Sequence, residues 1–346
     1  MTISALVVGL GSIGQRHARN LRSILGSNLI LSALRSQRGG LVITDQLVTS
    51  TSDPEADCNG GIFTDLDQAL AAEPEIVIIC NPTSLHVEVV EAAVRAGAAV
   101  FVEKPISNNL RGLTKLADLV VGRGGVVAVG CQLRFHPALI SLKALLSDQV
   151  LGRLITVNSE QGEYLPSYHP YEDYRHSYAA RSDLGGGVVL TQIHEIDYLQ
   201  WLFGMPSTVF AVGGHISELE IDVEDSASAL FAYENDGHHL AVHLHVDFLQ
   251  QPPIRRCRVV GLKGVIDVDL QKPSLTWTNN DGAVVLTEHY PGFTRSQMYI
   301  DEMRHFLAAA RKEEKVKVDL PHAIDTTRIA LAIRQSLSSG KVEYLQ

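Results

Sequence analysis

The chain has 346 residues, 45% of them hydrophobic and 20% charged, with a formal net charge of −10 and a pI near 5.8. That length suffices for two domains with sizeable cores, and the acidic balance argues against a nucleic-acid partner. Cys58, Cys80, Cys131 and Cys257 form no C-x-x-C pair, so neither a disulfide framework nor a zinc site is expected, and a reducing cytoplasm fits. No apolar run approaches the roughly 18 residues of a membrane span, and no basic or apolar leader precedes the first strand, so neither a membrane partner nor a signal peptide is expected.

Ile3–Val8 reads as a buried strand, and Gly9-Leu10-Gly11-Ser12-Ile13-Gly14 leads from it into a helix over 15–25. In G-x-G-x-x-G between strand and helix, Gly9 permits the tight turn, Gly11 lets backbone approach a pyrophosphate, and Gly14 allows close helix–strand packing. The helix N-terminus offers N–H groups and a positive dipole end to phosphates. A second strand, Leu29–Leu34, ends in Arg35-Ser36-Gln37-Arg38, where an acid would bind the ribose 2′-hydroxyl of NAD. Arg35, Ser36 and Arg38 suit a 2′-phosphate instead, so NADP is preferred to NAD. A short helix is expected near 40–47, a strand over 61–64, and a helix capped by Asp65 through Ala72. Glu75–Cys80 is the next buried strand; a helix over 87–96 stops at Gly97. Ala98–Val102 then leads to Glu103-Lys104-Pro105. A lysine at the carboxyl end of a buried strand lies where an open parallel sheet binds its ligands, and Pro105 stiffens the turn that holds it. A part-helical stretch over 107–122 and a strand over 125–130 close a doubly wound parallel pattern.

A helix is expected over 136–147 and a strand over 154–164. Pro166–Tyr178 packs four tyrosines, two histidines and an arginine into 13 residues, a composition suited to sugar rings. Gly185–Gly187 precedes a helix carrying His194, Asp197 and Trp201. Residues 207–290 read as about seven short strands. On one of them His239, His243, His245 and Asp247 share a face, but spacing of two along a strand does not converge side chains on one ion, so no metal is expected. Helices over 297–310 and 322–338 end the chain.

Gly9–Gly14, Asn81-Pro82-Thr83 with His86, Glu103-Lys104-Pro105, Val129–Pro137, Leu184–Gly187 and His194–Tyr198 together resemble, in order along the whole chain, the glucose–fructose oxidoreductase / inositol dehydrogenase (Gfo/Idh/MocA) family. The resemblance implies an α/β protein: a Rossmann NAD(P)-binding domain over 1–130, then a substrate-binding and oligomerisation domain over 131–346 with a large, open, mostly antiparallel sheet. It implies an NAD(P)-dependent dehydrogenase acting on the CH–OH of a sugar or sugar derivative, assembled as a homodimer or homotetramer. By the same resemblance Lys104 and His194 stand at the reacting oxygen. Gly9, Gly11, Ser12, Ile13, Gly14, Cys80, Asn81, Pro82, His86, Glu103 and Gln132 match cofactor-side positions, Gln132 replacing a common Asn. Arg134, Tyr168, Tyr171, Tyr174, Arg175 and Asp197 are the expected substrate contacts. One departure matters more: Thr191 and Leu190 stand where the family commonly has an Asp before its His, leaving Glu195 and Asp197 as candidate replacements.

The implied chemistry is reversible hydride transfer, with His194 taking the hydroxyl proton and Lys104 stabilising charge on the same oxygen. The rival readings are a non-catalytic NAD(P) or sugar sensor, and a lyase or glycosidase using held NAD as a transient oxidant.

Overall fold

The computed structural model describes residues 2–36, 40–235 and 238–345, which divide into two compact units. The first comprises Met1–Cys131 and Arg295–Ile324. Its elements are β1 (Ile3–Val8), α1 (Ser12–Leu25), β2 (Leu29–Leu34), a hairpin of β3 (Val42–Ile43) and β4 (Thr49–Ser50), β5 (Gly61–Phe63), α2 (Leu66–Ala71), β6 (Ile76–Ile79), α3 (His86–Arg95), β7 (Ala99–Glu103), α4 (Leu113–Arg123) and β8 (Val127–Gly130). Six strands form one parallel sheet in the order β5-β2-β1-β6-β7-β8.

Strand alternation divides the apolar residues of this sheet between two cores. Ala5, Val7, Ile76 and Ile78 face one core; Leu6, Val8, Val77 and Ile79 face the other. The first core is completed by Met303, Phe306 and Leu307 of the helix Arg295–Ala310, the second by Val318, Leu320, Ala323 and Ile324. The units part at Cys131, beside the boundary predicted after residue 130, but Arg295–Ile324 returns to the first unit. A segment from the far end of the chain supplies the apolar surface that both faces of the first sheet require.

The helix predicted near 40–47 is also replaced, by the β3–β4 hairpin. The reason is Gln15, whose amide donates to Leu41 O at 2.9 Å and accepts from Ile43 N at 2.8 Å, giving these backbone groups an extended partner on α1. The cap predicted at Asp65 is present, accepting the Gln68 N–H at 2.8 Å.

The second unit comprises Gln132–Thr294 and Asp325–Gln346. Here α5 (Pro137–Ser147) precedes β9 (Leu154–Gly162), and a run of 3-10 turns over 165–184 leads to the short α6 (Val188–Thr191) and α7 (Ile193–Phe203). Seven strands follow between 208 and 289: β10 (Thr208–Gly214), β11 (Ser226–Asn235), β12 (His238–Asp247), β13 (Ile254–Gly261), β14 (Gly264–Asp269), β15 (Ser274–Asn279) and β16 (Val284–His289). With β9 and the terminal β17 (Glu343–Tyr344) they make a nine-stranded sheet, antiparallel except where β9 pairs with β12. His245 on that sheet bridges Ser228 Oγ at 2.7 Å and Asp247 Oδ2 at 2.9 Å, which uses both ring nitrogens within the sheet. Among the described residues, no helix is long and apolar enough to cross a membrane.

His136, at the start of α5, is 1% exposed and packs edge-on against Phe293 at 4.9 Å. Burial, aided by the Arg255 charge, pushes its pKa down from 6.5 to about 4. The folded group is thus neutral where the unfolded one takes a proton. Its contribution is present above pH 6.5 and lost as pH falls toward 4, about 3 kcal/mol in all. Thermal melts between pH 7 and 4 should show a decline that is shallower in His136→Phe; identical slopes would exclude His136 as the cause.

Candidate active site

In the first unit the glycine turn lies at the carboxyl end of β1, where the strand order reverses between β2 and β6. Gly9 has φ +89° and its N–H donates to Leu34 O at 2.9 Å; a Cβ there would meet Cys80 O at 3.0 Å. A Cβ on Gly14 would stand 1.9 Å from Gly9 O, so only glycine lets α1 approach so closely. A Cβ on Gly11 would meet nothing within 4 Å: this residue borders open space. Gly11 caps α1 without a side-chain bond, Ser12 and Ile13 form the first turn, and that turn holds no acid. The free N–H groups and the open approach fit a dinucleotide pyrophosphate. Asn81 adds a buried side-chain oxygen, Oδ1, that no described group bonds. Pro82 caps the turn after it.

The cations expected for a 2′-phosphate meet a different environment. Arg35, the first residue after β2, pairs through Nη1 with Glu55 Oε1 at 2.8 Å, both side chains largely buried. Ser36 is exposed, and Arg38 lies outside the described residues.

Lys104 follows β7 directly, half-buried, on the same edge of the sheet as the glycine turn and two strands away, about 10 Å. The Lys104–Pro105 peptide is cis. His86 braces this turn: its ring nitrogens stand 2.8 Å from Pro105 O and 2.8 Å from Asn81 O, and burial holds its pKa below the usual imidazole range. Cys80 donates its N–H to Val8 O at 2.8 Å, tying β6 to β1. Glu103 uses one oxygen on His17 Nε2 at 2.7 Å and the other on the Lys104 N–H at 3.3 Å.

In the second unit Gln132 and His194 meet: Gln132 Nε2 lies 3.2 Å from His194 Nε2, both residues buried. The carboxylates proposed to replace the missing Asp are engaged elsewhere. Glu195 is clamped by Arg255 through bonds of 2.6 and 2.8 Å. Asp197 is clamped by Arg134 through bonds of 2.6 and 2.9 Å, and that guanidinium also lies 4.8 Å over Trp201. Arg134 and Asp197 are 3% and 0% exposed, so these two expected substrate contacts bind each other and pin α7 to the segment carrying Gln132.

The aromatic loop is similarly self-engaged. Tyr168 bonds Gln192 and packs on Phe248, with its phenol pushed well up by burial. Tyr174 OH accepts the Glu220 N–H at 3.2 Å, and Arg175 bridges Asp173 and Glu220. Tyr171 stacks on His169 at 5.3 Å.

Sequence reasoning missed His17, Glu55 and Arg255. Only His17 left a signal: with Gly14, Ala18 and Leu21 it lies on the i, i+3, i+4, i+7 stripe that α1 turns toward its core.

Residues 3–131 match a model described as an oxidoreductase family with an NAD-binding Rossmann fold, and residues 139–267 match the GFO/IDH/MocA C-terminal domain. An inositol 2-dehydrogenase of Rhizobium meliloti is 25% identical over 324 residues, covering 91% of each chain. Among solved structures, an NAD-binding oxidoreductase from Klebsiella pneumoniae superposes with a TM-score of 0.82 at 15% identity over all of both chains. The WlbA dehydrogenase from Bordetella pertussis, solved in complex with NADH and UDP-GlcNAcA, superposes with 0.80 at 18% identity, over all of this chain and 99% of its own. With both family models matched in order over about three-quarters of its length, this chain belongs to the Gfo/Idh/MocA family of nicotinamide-dependent oxidoreductases.

Proposed function

We propose that the protein is a dehydrogenase that moves hydride between NAD(H) and a hydroxyl-bearing ring carbon of a cyclic polyol or sugar. The observation that carries this reading is Lys104 at the carboxyl end of β7, on the sheet edge that also bears the glycine turn. The bound nicotinamide would supply hydride exchange. Gly9, Gly11 and the N-terminus of α1 hold the pyrophosphate, and Asn81 offers an acceptor beside it. Lys104 binds the reacting oxygen and stabilises its developing negative charge. His194 takes the hydroxyl proton, and the Gln132 amide beside its ring orients it. The inositol 2-dehydrogenase of Rhizobium meliloti and the ligands of the WlbA complex support a polyhydroxylated ring as substrate. Tyr171, half-buried on His169, is the substrate contact we retain from the aromatic loop.

The test is absorbance of reduced nicotinamide with NAD+ or NADP+ and a panel of inositols, free sugars and nucleotide-linked sugars. Substrate-dependent reduction supports the reading. Cofactor binding without turnover across the panel would favour the sensor, for which the absence of an acid at Leu190 and Thr191 speaks.

We read the cofactor as NAD rather than the NADP that Arg35 suggested, because the Arg35 guanidinium already has the Glu55 carboxylate on it. A 2′-phosphate would have to displace that carboxylate and would meet its charge. Glu55→Gln should tighten NADPH roughly tenfold relative to NADH, measured by fluorescence titration. An unchanged ratio would remove Glu55 from cofactor choice.

The nine-stranded sheet supports a homodimer or homotetramer. Phe210 and Leu230, a cross-strand pair, and neighbouring Val212 are 38%, 43% and 57% exposed on one face.

A further inference from the structure

We propose that His17 and Glu103 form a buried positioning pair that fixes Lys104 and maintains a negative charge beside its ammonium. The proposal rests on the reading of Lys104 as the cation at the reacting oxygen. His17 is fully buried on α1, its ring 5.0 Å from Phe101 and 6.2 Å from Tyr299. Its Nε2 lies 2.7 Å from Glu103 Oε1, and its Nδ1 has no hydrogen-bond partner among the described residues. An Nε2–H donating to the carboxylate satisfies that contact, with the Nδ1 edge turned to the apolar side. The second carboxylate oxygen accepts the backbone N–H of Lys104 itself. The turn carrying the lysine is thereby bonded, through one carboxylate, to the helix that starts at the glycine turn.

A packing role alone does not explain this choice. The neighbours of His17 are aromatic, and an apolar pair would fill the same space without burying a charge. What the pair supplies is a fixed anion one residue from Lys104. The other titratable groups facing Glu103 do not compete for it. His86 is kept toward its neutral form by burial, and burial together with Glu103 pushes the Cys80 thiol well up. His17 and Lys104 together hold Glu103 below the usual carboxylate range despite its burial.

Competitive labelling of lysines with trace acetic anhydride at pH 8, read peptide by peptide by mass spectrometry, tests this without any substrate. In Glu103→Gln, which keeps the shape and an acceptor for His17, the Lys104 amine should react about tenfold faster than in the parent, the effect of one lost neighbouring charge. His17→Phe should raise the rate severalfold. His17→Gln, whose amide can donate to Glu103, should stay within about twofold of the parent. Equal Lys104 reactivity in the parent, Glu103→Gln and folded His17→Phe would overturn the proposal. Because the labelling needs no turnover, failure of the dehydrogenase reading would leave this outcome readable on its own.

Discussion

Lys104→Met should turn over roughly a thousandfold more slowly than the parent, with NADH affinity within a factor of about three. Methionine keeps the length and apolar stem of the side chain and removes only the ammonium. The glycine turn and the N-terminus of α1, which hold the pyrophosphate in our reading, are two strands away and keep their geometry. Loss of one charged donor at a developing oxyanion costs about two to three orders of magnitude. Steady-state kinetics with the substrate found in the panel, alongside a fluorescence titration of NADH, separates the two effects. Near-parental kcat would remove Lys104 from the chemistry. A parallel collapse of NADH binding would instead make it a cofactor ligand.

Asp197→Ala should destabilise the second unit by about 3–5 kcal/mol, because it strands the Arg134 guanidinium in a site where both partners are almost wholly buried. For a unit of this size that corresponds to a fall in melting temperature of roughly 10 °C. Replacing both partners, Arg134→Met with Asp197→Leu, should recover much of the loss, since a buried pair exchanged for apolar side chains is often nearly neutral. Thermal or urea melts of the three variants decide the matter. If Asp197→Ala melts with the parent, the pair is not the clamp that its geometry suggests. The prediction also bears on the site: Gln132 and His194 lie on the two segments that the pair joins, so a loosened clamp reaches the histidine indirectly.

Features that depend on residue type at one place were legible in the sequence. The glycine turn could be read because Gly9 needs positive φ and Gly14 leaves no room for a Cβ. Lys104 could be read because a buried strand ends there and Pro105 follows. The strands of the second sheet showed as alternation. Partnerships across long stretches of chain were not legible. His17 and Glu103 are 86 residues apart, Arg134 and Asp197 are 63 apart, and Glu195 and Arg255 are 60 apart. Reading Glu195 and Asp197 as replacements for a missing acid was reasonable from their spacing. Spacing does not reveal that an arginine from another element holds each carboxylate. The 40–47 helix failed because local propensity was overridden by the Gln15 side chain of α1.

The return of Arg295–Ile324 to the first unit has a consequence for biosynthesis. The six strands of the parallel sheet leave the ribosome early, but Met303, Phe306 and Leu307, which cover one of its faces, come about 170 residues later. At a translation rate of about 5–20 residues per second, that face waits roughly ten to thirty seconds for its cover. During that interval the nascent nucleotide-binding half carries an apolar surface that a chaperone would recognise. The unit that begins the chain is therefore among the last parts to be finished.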